Sequence, residues 1–462
     1  METPRTAARR DRIVTAIAWC VLLALTAFVA SRQAHREGRD EAAATVADLQ
    51  GRLALGTRAL LPVGPGQTES EIDALDRGAP GLRQRAVVLA GETAGVAAAH
   101  ARLARFETEA QAAGGSTAEI QRILNELFPA TVPPGETQAA RVARLKPSDR
   151  DVLVAGLGWF GRLALAPDGA DAAARAEVLS SARRTATAGL AFSGAFCISV
   201  LGGITLWVIA LVQVLRGRFV AHHRLEPEQR SHGAETYAAW LVVFLGLTVL
   251  AGHVARGSPW IAVLVADVAA LGVLAVPVLR GVPWTTLRRR LGIHRGRGVV
   301  REMVAGVAGL VAAVPVVIGC ALAAMALQTA AGHRSGLGEG AHPIVQVLTS
   351  APPGRMALLF VLMSVMAPLV EETMFRGVLF GHLREATSRW PRVASVLVSA
   401  AVSSLLFAAD HPQGWTAIPA LGSLAAVLCL VREWRGSLIA PMVMHGLWNG
   451  AIGLFAAVAL SS

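Results

Sequence analysis

Residues 356–380, MALLFVLMSVMAPLVEETMFRGVLF, are long and apolar enough to cross a bilayer, yet they carry two adjacent glutamates and an arginine. A helix needs about 20 mostly apolar residues to span ~30 Å of hydrocarbon. The run shows no period-2 alternation, so it reads as a membrane helix rather than a strand. Ionisable groups at membrane depth cost ~2.5–3.5 kcal/mol each on insertion scales. Glu371, Glu372 and Arg376 are therefore expected to face a partner or a cavity.

Helical spacing sorts the three. Glu372 and Arg376 stand four apart with the acid first, the favourable order for an ion pair, whereas Glu371 points roughly 100° away, toward the face shared with Phe375. Arg376 is expected to hold Glu372, which leaves Glu371 in an apolar setting suited to general-base work.

Outward from this stretch, further apolar runs lie at 13–31, 185–215, 236–252, 257–279 and 303–332, and then at 393–411, 412–431 and 436–462. The total is about nine spans. The composition agrees: 53% of residues are hydrophobic and 16% charged, with a mean hydropathy of +0.50, where a soluble domain carries about 25% charged residues. The expected fold is an all-α, polytopic membrane helical bundle. Residues 32–184 differ, being rich in Ala, Arg and Glu with helical apolar spacing at 42–61 and 118–127. They are expected to form a mostly helical extramembrane insert after the first span, broken at Pro62, Gly64, Pro65 and Gly66 and again at Pro129, Pro133, Pro134 and Gly135. The chain thus divides into an N-terminal anchor (1–31), the insert (32–184), accessory spans (185–279) and a core (280–462).

The net charge of +11 is distributed as an insertion signal. Arg5, Arg9, Arg10 and Arg12 precede the first span, and Arg280, Arg288, Arg289, Arg290, Arg295, Arg297 and Arg301 fill one loop. With these, 216–230 and 384–392 on the cytoplasmic side, nine spans alternate without contradiction, the N-terminus inside and the insert outside. Such loops need no nucleic acid, and none is expected. Cys20, Cys197, Cys320 and Cys429 all fall in expected spans without a CxxC and read as packing residues. The first apolar run is long for a signal peptide and no convincing A-x-A cleavage site follows, so an uncleaved anchor is expected. Gly156, Gly158 and Gly161 fit G-x-G-x-x-G, but no βαβ unit surrounds them, so a helix or turn is expected there and no nucleotide cofactor.

Two later segments carry chemistry. In LFAADHPQGW (406–415), Phe407 and His411 lie four apart; in APMVMHGLWNG (440–450), His445 and Asn449 share a helix face. Taken singly, each reads as an interfacial residue or as interhelical glue. Of the 12 histidines, however, only these two belong to spans that follow the double glutamate. Asp267, alone in the fourth span, reads as a polar contact between helices.

In order and spacing, Glu371-Glu372-x-x-x-Arg376, Phe407-x-x-x-His411 and His445-x-x-x-Asn449 resemble the three-motif signature of the CPBP family, the CAAX proteases and bacteriocin-processing enzymes also called the Abi family. The basic segment 284–301 with Leu291-Gly292-Ile293 also resembles the opening of family members; the resemblance covers roughly 280–460 and leaves out the insert. It implies an intramembrane endopeptidase that hydrolyses a peptide bond in or near the membrane. Glu371 with His411 would orient and deprotonate a water, Glu372 and Arg376 would support them, and His445 with Asn449 would stabilise the oxyanion. These residue types suit the task, since the water needs a base and the tetrahedral oxygen needs donors.

The resemblance leaves the metal open, because the family has been described both as metal-dependent and as glutamate-dependent. Glu371, His411 and His445 are acceptable Zn2+ ligands, although the zincin pattern H-E-x-x-H is missing. The rhomboid G-x-S-G and presenilin G-x-G-D patterns are missing too. The partners expected are the lipid bilayer and a membrane protein or peptide substrate, in a bacterial inner membrane. A non-catalytic scaffold, chaperone or immunity protein on the same fold, and a proton-coupled transporter, stand as alternatives. One geometric demand follows. If His411 ends a full span begun near Arg392, it lies at a different depth from Glu371 and His445, so a tilted or interrupted helix is needed, for which Pro368, Pro412 and Pro441 supply the means.

Overall fold

A computed structural model describes residues 4–33, 39–61, 65–169, 171–223, 225, 232–254, 259–332 and 352–460. Pro62, Gly64 and most of 224–230, which entered the sequence reading, lie outside the described residues. Every element among the described residues is helical. They fall into two compact units: one holds the described residues of 1–36, 195–333 and 342–454, the other those of 37–194 and 455–462.

The second unit is the helical insert. Its helices are α2 (Arg39–Leu60), α3 (Pro65–Asp76), α4 (Pro80–Ala94), α5 (Val96–Ala113), α6 (Gly115–Leu127), α7 (Gln138–Arg144), α8 (Pro147–Leu157), α9 (Trp159–Leu165) and the first part of α10 (Ala172–Leu215). Pro80 and Pro147 open α4 and α8, where a missing N–H costs nothing. Thr137 caps α7, its hydroxyl accepting from Ala140 N–H at 3.2 Å. Leu75, Leu89, Leu103, Leu124, Phe128, Leu157 and Phe160 form a fully buried core. The G-x-G-x-x-G glycines serve that packing. Gly158 turns the chain between α8 and α9 at φ 58°, and a Cβ on Gly161 would run into the Leu153 carbonyl.

The first unit contains α1 (Pro4–Gln33), the later part of α10, α11 (Gly233–Val254) and α12 (Pro259–Ala270), which passes through a 3-10 turn (Leu271–Leu274) into α13 (Ala275–Leu279). It continues with α14 (Trp284–Leu291), α15 (Val299–Ala330), α16 (Gly354–Ala386), α17 (Arg392–Asp410), α18 (Ile418–Arg435) and α19 (Ile439–Leu460) as far as residue 454. Among the described residues, seven helices are long and apolar enough to cross a membrane: α10, α11 and α15 through α19. Shorter apolar helices at Ile13–Val29 and Val265–Leu279 occupy the other two expected runs. Ile198, Leu201, Val208 and Leu211 of α10 stay exposed, as lipid-facing residues do.

Two departures from regular helices bear on the site. The runs 393–411 and 412–431, expected back to back, are parted by a turn at residues 411–414, and α18 is entered through a 3-10 turn, Trp415–Ala417. Pro412 cannot extend α17 and favours extended backbone before it, where His411 sits at φ −83° and ψ 141°. Within α16 the helix widens twice into π-helical turns, at Leu362–Met366 and Glu372–Leu379. Pro368 falls between them and has no N–H for the carbonyl one turn back, so the first widened turn re-registers the ladder.

Ion pairs lash helix ends together. Glu433 at the end of α18 accepts from both Arg384 nitrogens at 3.1 Å and from Arg392 at 3.1 Å. Arg435 pairs with Glu302 at 2.7 and 2.9 Å. His222 and His223 donate main-chain N–H groups to the Trp434 and Glu433 carbonyls at 3.2 and 3.1 Å.

Candidate active site

Glu371 and Glu372 stand where α16 enters its second π-helical turn. Such widened turns re-aim side chains and concentrate at functional sites. Glu372 and Arg376 are both fully buried and pair at 2.9 Å. Arg376 also reaches the Ala425 carbonyl at 3.4 Å and lies over the Phe407 ring, 4.4 Å from its centroid. Its charge is thus compensated on three sides, as burial demands.

His445 of α19 meets both glutamates. Its Nδ1 lies 2.8 Å from Glu372 Oε1 and its Nε2 3.8 Å from Glu371 Oε2. An ionised carboxylate only accepts, so Nδ1 carries a proton and Nε2 faces Glu371. His411 is oriented by a different device with the same result. Its Nδ1 lies 2.6 Å from the Phe407 carbonyl, its ring rests on Phe407 at 4.1 Å, and its Nε2 stands 3.8 Å from Glu371 Oε2. Two imidazoles held through Nδ1 therefore turn Nε2 toward one oxygen, and that oxygen is buried without a hydrogen-bond partner among the described residues.

Asn449, one turn beyond His445, donates to the Met363 carbonyl at 2.9 Å and so faces α16 from the same side of α19. Close approach of the two helices rests on Gly446, where a Cβ would collide with the Ser364 carbonyl. The structure thus gathers Glu371, Glu372, Arg376, His411 and His445 around one point, with Asn449 bound to α16 farther along. Two imidazoles and a carboxylate are chemically a zinc-type donor set. As positioned, however, no group of three or more His, Cys, Asp or Glu among the described residues is arranged to hold a metal ion.

Two neighbours escaped the sequence reading. Asp410 ends α17 directly before His411, and its Oδ2 lies 3.4 Å from the hydroxyl of Tyr237 on α11. An acid beside a motif histidine in an apolar run, and the chain's single tyrosine, were the signals available. Asp267 is buried on α12, whose helix packs against Ala367–Glu371.

Residues 353–451 match the family described as Type II CAAX prenyl endopeptidase Rce1-like. The membrane-embedded CAAX protease MroQ of Staphylococcus aureus (strain USA300) is 31% identical over 101 residues. Over residues 353–451 the chain is therefore similar to the CAAX proteases. The likeness to MroQ spans 22% of this chain and 40% of that protein's length. No solved structure matches the chain. All seven motif residues, Glu371 to Asn449, lie inside the CAAX-protease match, whereas Tyr237 and the insert lie outside it.

Proposed function

We propose that the chain is an intramembrane endopeptidase in which Glu371 and His411 activate a water for attack on a peptide carbonyl. The observation that carries this reading is the convergence of the His411 and His445 Nε2 atoms, each at 3.8 Å, on Glu371 Oε2. A water held by Glu371 and His411 loses its proton to this pair as it adds to the carbonyl carbon. The tetrahedral oxygen takes hydrogen bonds from His445, whose protonated ring is stabilised by Glu372, and from Asn449. Arg376 holds Glu372 in place for that duty. Proton return to the leaving amine, through Glu371 or His411, completes the hydrolysis.

The catalytic core is assigned to 280–462 and the accessory spans to 185–279, in a bacterial inner membrane, with the basic loops cytoplasmic and 32–184 on the outer side. A membrane protein or a peptide presented at the bilayer is the substrate class that suits a site inside apolar helices.

The test is cleavage of a quenched peptide and of candidate membrane substrates by detergent-purified protein, comparing wild type with Glu371→Ala and His411→Ala, with and without chelator. Loss of cleavage in both variants is expected, with wild-type cleavage surviving the chelator. Loss of wild-type cleavage in chelator would instead make Glu371, His411 and His445 metal ligands. Cleavage that persists in both variants would overturn the site.

A further inference from the structure

His411 follows the last residue of α17, and its ring is fixed by the Phe407 carbonyl and the Phe407 face. Those contacts set the ring against α17, but they do not set the direction in which the chain leaves the helix at 410–412. The backbone itself offers one weak bond there, His411 N–H to Ala408 carbonyl at 3.4 Å, and Pro412 has no N–H to add another. The Asp410 side chain is the next handle, and it is engaged by Tyr237 at 3.4 Å.

Tyr237 is suited to hold it. It is the only tyrosine of the chain and is fully buried. Its ring packs edge-on to Phe375 at 5.3 Å and against Trp240 at 5.4 Å, so the hydroxyl has little freedom. Phe375 in turn packs edge-on to Phe407 at 4.9 Å, and Phe407 carries the His411 ring. The phenol and the imidazole are thus joined along two routes, one through Asp410 and the backbone, the other through the two rings of Phe375 and Phe407. A buried phenol without a partner would cost roughly 1–3 kcal/mol, so Tyr237 needs Asp410, whose carboxyl is also faced by Thr26 of α1. Tyr237 belongs to α11, outside the CAAX-protease match.

We propose that Tyr237 and Asp410 are positioning residues that fix the turn presenting His411 to Glu371, which makes accessory helix α11 part of the active-site support. The idea rests on the protease reading above. The Tyr237 hydroxyl donates a hydrogen bond to the Asp410 carboxyl, and the pair touches neither substrate nor the reacting atoms.

Steady-state cleavage by the purified full-length protein tests it. Tyr237→Phe removes only the hydroxyl and is expected to lower kcat about tenfold, the effect of one lost hydrogen bond, with KM and thermal unfolding little changed. Asp410→Ala, which also loses Thr26, should fall at least as far, and Tyr237→Phe with Asp410→Ala no further than Asp410→Ala alone, because the phenol acts only through Asp410. Asp410→Asn, which keeps an acceptor for the phenol, should restore most of the rate. A tyrosine carbon label gives a single resonance in this chain and reads the contact without turnover. That resonance should move in Asp410→Ala and stay in His411→Ala. A wild-type kcat in Tyr237→Phe, additive losses in the double variant, or a loss that merely follows a lower Tm would each overturn the proposal. His411→Ala separates the two levels: if it is inactive while Tyr237→Phe is normal, only the positioning idea fails. Cleavage by His411→Ala at the wild-type rate would fell the protease site itself.

Discussion

Glu372 is ionisable, fully buried and shared by two partners, Arg376 and His445, and its position decides how the rest of the site can be arranged. Removing one side of such a pair leaves an uncompensated charge in a low-dielectric interior, a cost of about 3–5 kcal/mol. Arg376→Ala should therefore lower the thermal midpoint of the detergent-solubilised protein strongly and abolish cleavage. Arg376→Lys should stay folded but cleave more slowly, because an ammonium cannot bridge Glu372 and the Ala425 carbonyl while lying flat on Phe407. An unchanged midpoint in Arg376→Ala would show that Glu372 is not held as described. The Glu372–Arg376 pairing was legible because i to i+4 neighbours meet on any helix. The contact of His445 with Glu372 was not, since it joins residues 73 apart and depends on how two helices cross.

At the scale of the element, the site depends on α16 and α19 lying backbone to backbone at Gly446 and Ser364. Gly446→Val would force them apart; overpacking of this kind costs roughly 1–3 kcal/mol, and it would draw His445 away from both glutamates. Cleavage should fall much further than stability. Gly319→Ala on α15, where a Cβ meets nothing within 4 Å, should leave both intact. Equal loss from the two substitutions would refute the close-packing account. The apolar runs made most of these helices readable, because length and charge alone mark a membrane helix. The widened turns of α16 were not readable, since an all-apolar run has no polar face from which to tell a period of 3.6 from a wider one. Pro368 was the one hint. The depth conflict foreseen for His411 is answered by the stop of α17 at Asp410 and the turn that follows, which bring His411 Nε2 to Glu371.

At the scale of the molecule, the membrane unit is closed at its helix ends by charge rather than by apolar burial, and one member of that closure, His223, is held neutral well below its ordinary pKa. The segment after α10 clips onto the end of α18 through His222 and His223, and the His223 ring lies between Phe380, at 5.9 Å, and the Glu433 carboxylate, at 3.0 Å. None of this could be read beforehand, because residues 210 apart in sequence meet there and nothing in the spacing of His223 points to Glu433. Burial, reinforced by the Arg432 charge, lowers the His223 pKa from 6.5 to about 4 despite the favourable carboxylate. In the unfolded chain the imidazole takes up a proton as pH falls through about 6.5, whereas the folded chain resists until about 4. The unfolded state therefore binds more protons across this window, and stability that is complete above about 6.5 drains away as pH falls toward 4, by an amount of order 3 kcal/mol. Thermal midpoints of wild type and His223→Gln, measured at intervals from pH 7.5 to 4, should converge on acidification, with wild type ahead at neutral pH and losing its lead below about pH 6. Parallel curves over the whole range would show that His223 is not held neutral, and would remove the clip between α10 and α18 from the account of what stabilises the membrane unit.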